Sequence, residues 1–277
     1  MDPRLTPTNG RVAAEELRGQ VTADRFSPGE WTSCRIPVAD ICAEPDGKLS
    51  SQLLFGERFR VLESNRGWSF GQVERDRYVG YVRRESLTDD VSPTHRVMCL
   101  STSVYDEPDI KSRPTGWFPF GAVLVCGQDV SNFMEIRGGG YVPQPHLRRL
   151  SDTSLCPVTL SRQFLGLSYL WGGNGPLGID CSGLVQMTLL AAGYACPRDS
   201  DMQWQWMIEN PAARAIAAGN YAFWEGHVGI VDTDDMLIHA TAHHMQVVRE
   251  PLATVKQRIE TSSNDKFLGV ARLPHHS

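Results

Sequence analysis

Residues 34–150 state one pattern twice, and a repeat limits the fold more tightly than any single motif because each copy must close its own apolar core. The first copy runs VADICAEPDGKLSSQLLFGERFRVLESNRGWSFGQVERDRYVGYVRRESL, the second VMCLSTSVYDEPDIKSRPTGWFPFGAVLVCGQDVSNFMEIRGGGYVPQPHL. Each has a proline (Pro45, Pro108), an apolar residue before a glycine (Phe55-Gly56, Phe120-Gly121) and an alternating run (59–62, 122–125). Each continues with an aromatic (Trp68, Phe133), a closing Gly-Tyr-Val (from Gly80 and from Gly140) and a final leucine (Leu87, Leu147). Short alternating runs broken by turn residues about every ten positions predict two small β-barrels, residues 34–90 and 91–150. Their aromatics serve as core packing, or as the floor of a peptide-binding groove or a wall of an active site.

The pattern resembles a pair of bacterial SH3-like modules. From residue 151 the periodicity changes to α+β, with helices expected over 157–166, 182–192 and 200–208 and strands over 221–224, 227–232, 236–240 and 246–249. Residues 151–277 therefore form a third domain. Residues 1–33 form an extension in which 9–19 reads as a short helix capped by Asn9 and stopped by Gly19.

A net charge of −5 without a long basic run excludes the electrostatic footprint of a nucleic-acid binder. The first twenty residues lack an apolar stretch of signal or membrane length, so a cytoplasmic protein without a membrane partner is expected. The seven cysteines are odd in number with no CxxC pair, which argues for reduced thiols over a disulfide framework or a zinc knuckle.

Cys181 differs from the other six. It sits in GIDCSGLVQMTLLAAG, after a turn at Gly178 and a capping residue at Asp180, where an apolar helix begins. Amide N–H groups and the positive end of the helix dipole favour a thiolate there, so a lowered thiol pKa is expected. His227 opens the strand HVGIVD and His239 lies in MLIHA. If Val231 faces Asp235 across a three-residue loop, His227 falls opposite His239, with Cβ atoms roughly 4.5–5.5 Å apart. Nucleophile, base and orienter are then in place. Cys181, His227, His239 and the pair His243-His244 match no standard zinc spacing, so neither a metal nor a cofactor is expected.

The blocks YLWGGNGPLGIDCSGLVQ, PRDSDMQ and FWEGHVGIVD with LIHA resemble the NlpC-type family of papain-like cysteine peptidases that cut bacterial cell-wall peptides. The resemblance implies a papain-like catalytic domain behind two SH3-like barrels, with Cys181 as nucleophile, His227 as base and His239 as its orienter. Paired SH3-like modules resemble most the γ-D-glutamyl-L-diamino acid endopeptidases, which act on murein-derived peptides with a free N-terminal L-Ala. That implies substrate contacts at Tyr169, Trp171, Asp180, Ser182, Asp199 and Ser200, and at Tyr78 from the first module. Asn220 stands where the family usually has an aspartate. Two other functions share these features: a catalytically silent module that binds wall fragments, and an acyltransferase using the same cysteine.

Overall fold

The computed structural model describes residues 1–208, 216–262 and 265–273. It falls into two compact units, Met1–Ser151 and Asp152–Ser277.

In the N-terminal unit, the first copy of the repeat forms a seven-stranded sheet. Its order is Leu49–Leu54, Val38–Cys42, Val79–Arg83, Trp68–Val73, Arg58–Asn65, Glu30–Cys34, Leu87–Asp89. Ile41, Leu53, Phe59, Val73 and Val82 fill its interior. The second copy follows the same order: Pro114–Pro119, Ser101–Tyr105, Tyr141–Pro143, Phe133–Ile136, Cys126–Val130. Its equivalent of the long Arg58–Asn65 strand is broken at Val125. The first piece, Val123–Leu124, pairs instead with His95–Val97, beside Leu147–Arg149. A 3-10 turn, Arg84–Ser86 in one copy and Gln144–His146 in the other, precedes each last strand.

The two copies meet at Gly56, whose φ is +78° and whose pro-Cβ position lies 1.9 Å from the Val123 carbonyl oxygen. Val123 N–H donates to Phe55 O at 2.9 Å, and the Phe55 and Phe118 rings sit 4.4 Å apart. The apolar-glycine dipeptide read as a strand signal thus also allows the second module to approach.

The helix expected over 9–19 is not formed. Val12–Ala14 is a strand paired in parallel with Arg25–Ser27, followed by a 3-10 turn at Glu15–Leu17. Burial decides this: Val12 and Ala14 pack on Leu62 and Phe70, a tertiary gain that overrides a weak local preference. Asn9 still turns the chain, its Oδ1 accepting the N–H groups of Arg11 and Val12.

The C-terminal unit is a five-stranded antiparallel sheet in the order Gln246–Pro251, Met236–Thr241, His227–Thr233, Tyr221–Trp224, Phe267–Ala271. Helix α1 (Pro157–Ser161) continues as a 3-10 turn, and α2 (Cys181–Ala191) packs on the two central strands. Helix α3 is Ser200–Ile208, as read from the sequence. Helix α4 (Leu252–Ser262) and the edge strand Phe267–Ala271 were not read from the sequence. Through Leu252, Val255 and Ile259, α4 covers the sheet face carrying Trp224, Val231 and Leu237. Strand alternation puts His227, His239 and Glu250 on that same face.

Gly56 and Gly67 both have positive φ, but nothing lies within 4 Å of the Cβ site at Gly67. We expect Gly67→Ala to cost about 1 kcal/mol of N-terminal-unit stability, the backbone contribution alone, and Gly56→Ala to cost clearly more, read by chemical denaturation. Equal losses at the two positions would show that the Val123 contact is not tight.

Candidate active site

Cys181, the candidate nucleophile, is set by a capped helix start. Asp180 precedes α2 in extended conformation, and its Oδ1 accepts Gly183 N–H at 2.7 Å. The same carboxylate ties down two other segments. Its Oδ2 accepts Gly172 N–H at 2.8 Å, and Arg198 grips both oxygens at 3.0 and 2.7 Å. Arg198 is 1% exposed and also donates to Ser182 Oγ at 3.0 Å, while Ser182 Oγ donates to Asp180 Oδ1 at 3.2 Å. Both carboxylate oxygens are thus engaged within the protein. Gly183 must be glycine because a Cβ there would sit 2.5 Å from the Gly173 carbonyl oxygen. The helix start is thereby pressed against the 172–174 loop.

The histidines meet, in a different register from the expected one. Ile230 faces Ile238 and Val231 faces Leu237, so the pairing is shifted by two residues. The turn is the two-residue Asp234-Asp235, since Thr233 pairs with Met236, and Asp232 is the extra residue of a bulge. Arg162 and Arg249 hold the buried Asp232 carboxylate at 2.7 and 2.6 Å. A shift of two preserves the face, because side chains alternate with period two. His227 and His239 are therefore diagonal rather than opposed, a spacing that ring-sized side chains bridge. His227 Nε2 lies 2.7 Å from His239 Nδ1.

The line continues beyond the expected three residues. His239 Nε2 lies 2.8 Å from Glu250 Oε1, and Arg258 of α4 bonds both oxygens of that carboxylate, Oε2 at 2.8 Å. Glu250 is again diagonal to its partner, since His239 pairs with Val248.

Burial reverses the expected electrostatics of the nucleophile. The Cys181 thiol is pushed up to about 12 by desolvation and then by the Asp180 charge, against the opposing pull of the Val228 and Ser182 N–H groups. The same burial, reinforced by His239, takes the His227 imidazole down to about 3. The helix start favours the thiolate, but burial opposes it, raising the thiol and lowering the imidazole. His239 is also lowered by burial, and Glu250 is held well below the usual carboxylate range by Arg258 and His239 despite its own burial.

Tyr169 lies beside Cys181, its phenol raised by burial and by the Cys181 and Asp180 charges. Its N–H donates to Met245 O at 2.9 Å. Trp171 is 71% exposed on the loop leading to Asp180. Asp199 is half-buried next to Arg198, and its carbonyl accepts Gln203 N–H as α3 begins at Ser200. Gln203 in turn holds the Ser182 carbonyl at 2.9 Å. Tyr78 belongs to the N-terminal unit, where it packs in the first barrel with Ile41, Leu53 and Phe59. That barrel also bears a pocket of about 240 Å³ lined by Arg11, Glu63, Trp68, Phe70 and Tyr81, among others. Sequence reading missed Arg198, Glu250 and Arg258. Alternation along Gln246–Pro251 could have shown Glu250 on the face of His227 and His239.

Residues 166–264 match the NlpC/P60 family, and residues 41–87 match the bacterial dipeptidyl-peptidase Sh3 domain. Dipeptidyl-peptidase 6 of Lysinibacillus sphaericus is 26% identical over 231 residues, 74% of this chain and 85% of that protein. The gamma-D-glutamyl-L-lysine dipeptidyl-peptidase of Bacillus subtilis (strain 168) is 52% identical over 172 residues, 57% of this chain and 58% of that protein. The chain thus spans somewhat over half the length of the second relative. A crystal structure of an NlpC/P60 family protein from Bacillus cereus ATCC 10987 shares the fold, with a TM-score of 0.71 at 18% identity over 88% of this chain and all of that one.

Two outcomes check the site. Arg198→Met leaves the Asp180 carboxylate buried without its counter-charge and should cost about 3–5 kcal/mol in denaturation. A thiol raised to about 12 needs His227 to take its proton near neutrality. His227→Ala should therefore abolish iodoacetamide labelling of Cys181 at pH 7 and restore it only as the pH climbs well above neutrality. Labelling at the wild-type rate would remove His227 as the base.

Proposed function

Taking the chain as a cysteine peptidase domain of the NlpC/P60 family behind a bacterial dipeptidyl-peptidase Sh3 domain, we propose that it hydrolyses the γ-D-glutamyl-diamino acid bond of murein peptides with a free N-terminal L-Ala. The observation that carries this reading is the run from the Cys181 helix start to the bonded His227–His239 pair, with Tyr169 beside Cys181. The gamma-D-glutamyl-L-lysine specificity in the name of the Bacillus subtilis relative supports the choice of bond. The common strand order of the two repeat copies supports a second SH3-like module over 91–150. Seven free cysteines favour murein-peptide recycling in a reducing cytoplasm.

The steps follow from the geometry. His227 Nε2 is bonded to His239, so Nδ1 is the nitrogen that takes the Cys181 proton as Sγ attacks the γ-carbonyl carbon of D-Glu. Because the proton passes within the pair, the site keeps its net charge and the unfavourable free thiolate is not required beforehand. Gly183 N–H is held by Asp180 and Ser182 N–H is turned towards Sγ, which leaves Cys181 N–H to receive the oxyanion. The C–N bond breaks, His227 returns the proton to the leaving amine, and water then hydrolyses the thioester.

The resemblance gives the free α-ammonium group of L-Ala to Asp199, whose carboxylate can pair with it. Trp171 and Tyr169 line the cleft, and Ser182 and Ser200 complete the polar contacts. Tyr78 is assigned from the resemblance alone. The aromatic pocket of the first barrel favours a compatible second role, holding wall fragments.

We expect Cys181→Ala to release no diaminopimelate from L-Ala-γ-D-Glu-diaminopimelate by mass spectrometry. N-acetylation of the substrate, or Asp199→Asn, should lower kcat/KM by roughly tenfold or more, the size of a lost charged hydrogen bond. Equal cleavage of free tripeptide, acetylated tripeptide and intact peptidoglycan would overturn the free-amine requirement.

A further inference from the structure

We propose that Glu250 is a positioning residue of the catalytic relay: anchored by Arg258 and accepting the His239 Nε2 proton, it fixes the tautomer of both imidazoles and so leaves the His227 Nδ1 lone pair for Cys181. The inference rests on the reading of Cys181 and His227 as nucleophile and base.

Two bonds, one between the two rings and one from a ring to a carboxylate, determine the proton positions. An ionised carboxylate only accepts, so at 2.8 Å from Glu250 Oε1 the His239 Nε2 atom must carry hydrogen. A neutral imidazole then has its lone pair on Nδ1. That atom lies 2.7 Å from His227 Nε2, which must be the donor. In a neutral His227, hydrogen on Nε2 leaves the lone pair on Nδ1. The carboxylate thus sets, two rings away, which nitrogen can act as base.

The anchoring is built for this task. Arg258 bonds both Glu250 oxygens, so the carboxylate is held in place from α4 as well as by its own strand. The groups facing it are His239, Arg258 and His244, whose Nε2 is 3.6 Å from Oε2. When His227 takes the thiol proton, a positive charge appears on a buried ring. The His239–Glu250 bond stabilises that charge while the carboxylate itself takes no proton, which is its second contribution.

The test is Glu250→Gln in the full-length chain. The glutamine can still accept from His239 Nε2 through its oxygen, but it brings no charge and can present its NH2 group instead. We expect kcat on the tripeptide to fall roughly 100-fold, a typical general-base effect, with KM nearly unchanged. Imidazole 15N shifts of wild type should show Nε2-protonated, Nδ1-unprotonated rings at His227 and His239, and mixed tautomers in the variant. Glu250→Asp should recover part of kcat. A wild-type spectrum with hydrogen on His227 Nδ1 overturns the proposal whether or not the variant folds, as does unchanged kcat in a folded variant. Alkylation of Cys181 at pH 7 separates the two ideas. If it slows in Glu250→Gln while wild type fails to cleave the tripeptide, the substrate reading falls and Glu250 keeps its role. If it is unaffected while wild type cleaves, the role of Glu250 falls.

Discussion

The Asp180 carboxylate accepts from Gly172, from Gly183, from Ser182 and twice from Arg198, and through those bonds it joins three stretches of chain. One is the loop before the nucleophile, the second is the first turn of α2, and the third is the segment that leads into α3. Burying an ion pair is poor economy for stability, since removing two charges from water offsets most of their attraction. Its return is a single geometry. A bidentate guanidinium on a capping carboxylate leaves the helix start neither rotation nor slip, and Cys181 is its first residue. Gly183 extends the constraint, because the loop carbonyl occupies the space a side chain would need.

The second half of the site is placed by the sheet rather than by capping. His227, His239 and Glu250 belong to three adjacent strands, each diagonal to the next on one face, and α4 both covers that face and supplies Arg258. The two halves are therefore independent in origin. The Val228 N–H group aimed at Sγ is the contact that joins them.

This independence explains what the sequence revealed. The helix start at Cys181 was legible because a cap, a cysteine and an apolar helix are contiguous. The histidine pair was legible through parity, which survives any shift by two. The shift itself was not legible, because it arises from a bulge at Asp232 that is stabilised by Arg162 and Arg249, 70 and 17 residues away. Arg198 was hidden because it reaches a carboxylate 18 residues back, and Arg258, 8 residues from Glu250, because the helix that carries it was not read. The lost helix over 9–19 adds a related case, since Val12 and Ala14 answer to the barrel surface they cover and not to their neighbours in sequence.

Burial gives the chemistry its direction. A helix start alone would make Cys181 a standing thiolate, reactive towards any electrophile. Desolvation raises the thiol and lowers the imidazole together, so charge on either requires a proton to move between them. Separated charge in that pair is then supported only by groups already aligned: the Val228 and Ser182 N–H groups on the sulfur side, and the His239 and Glu250 line on the ring side. On the proposed reading, reactivity depends on prealigned partners and not on a permanently ionised cysteine, which ties Cys181 to the intactness of the sheet that carries His227.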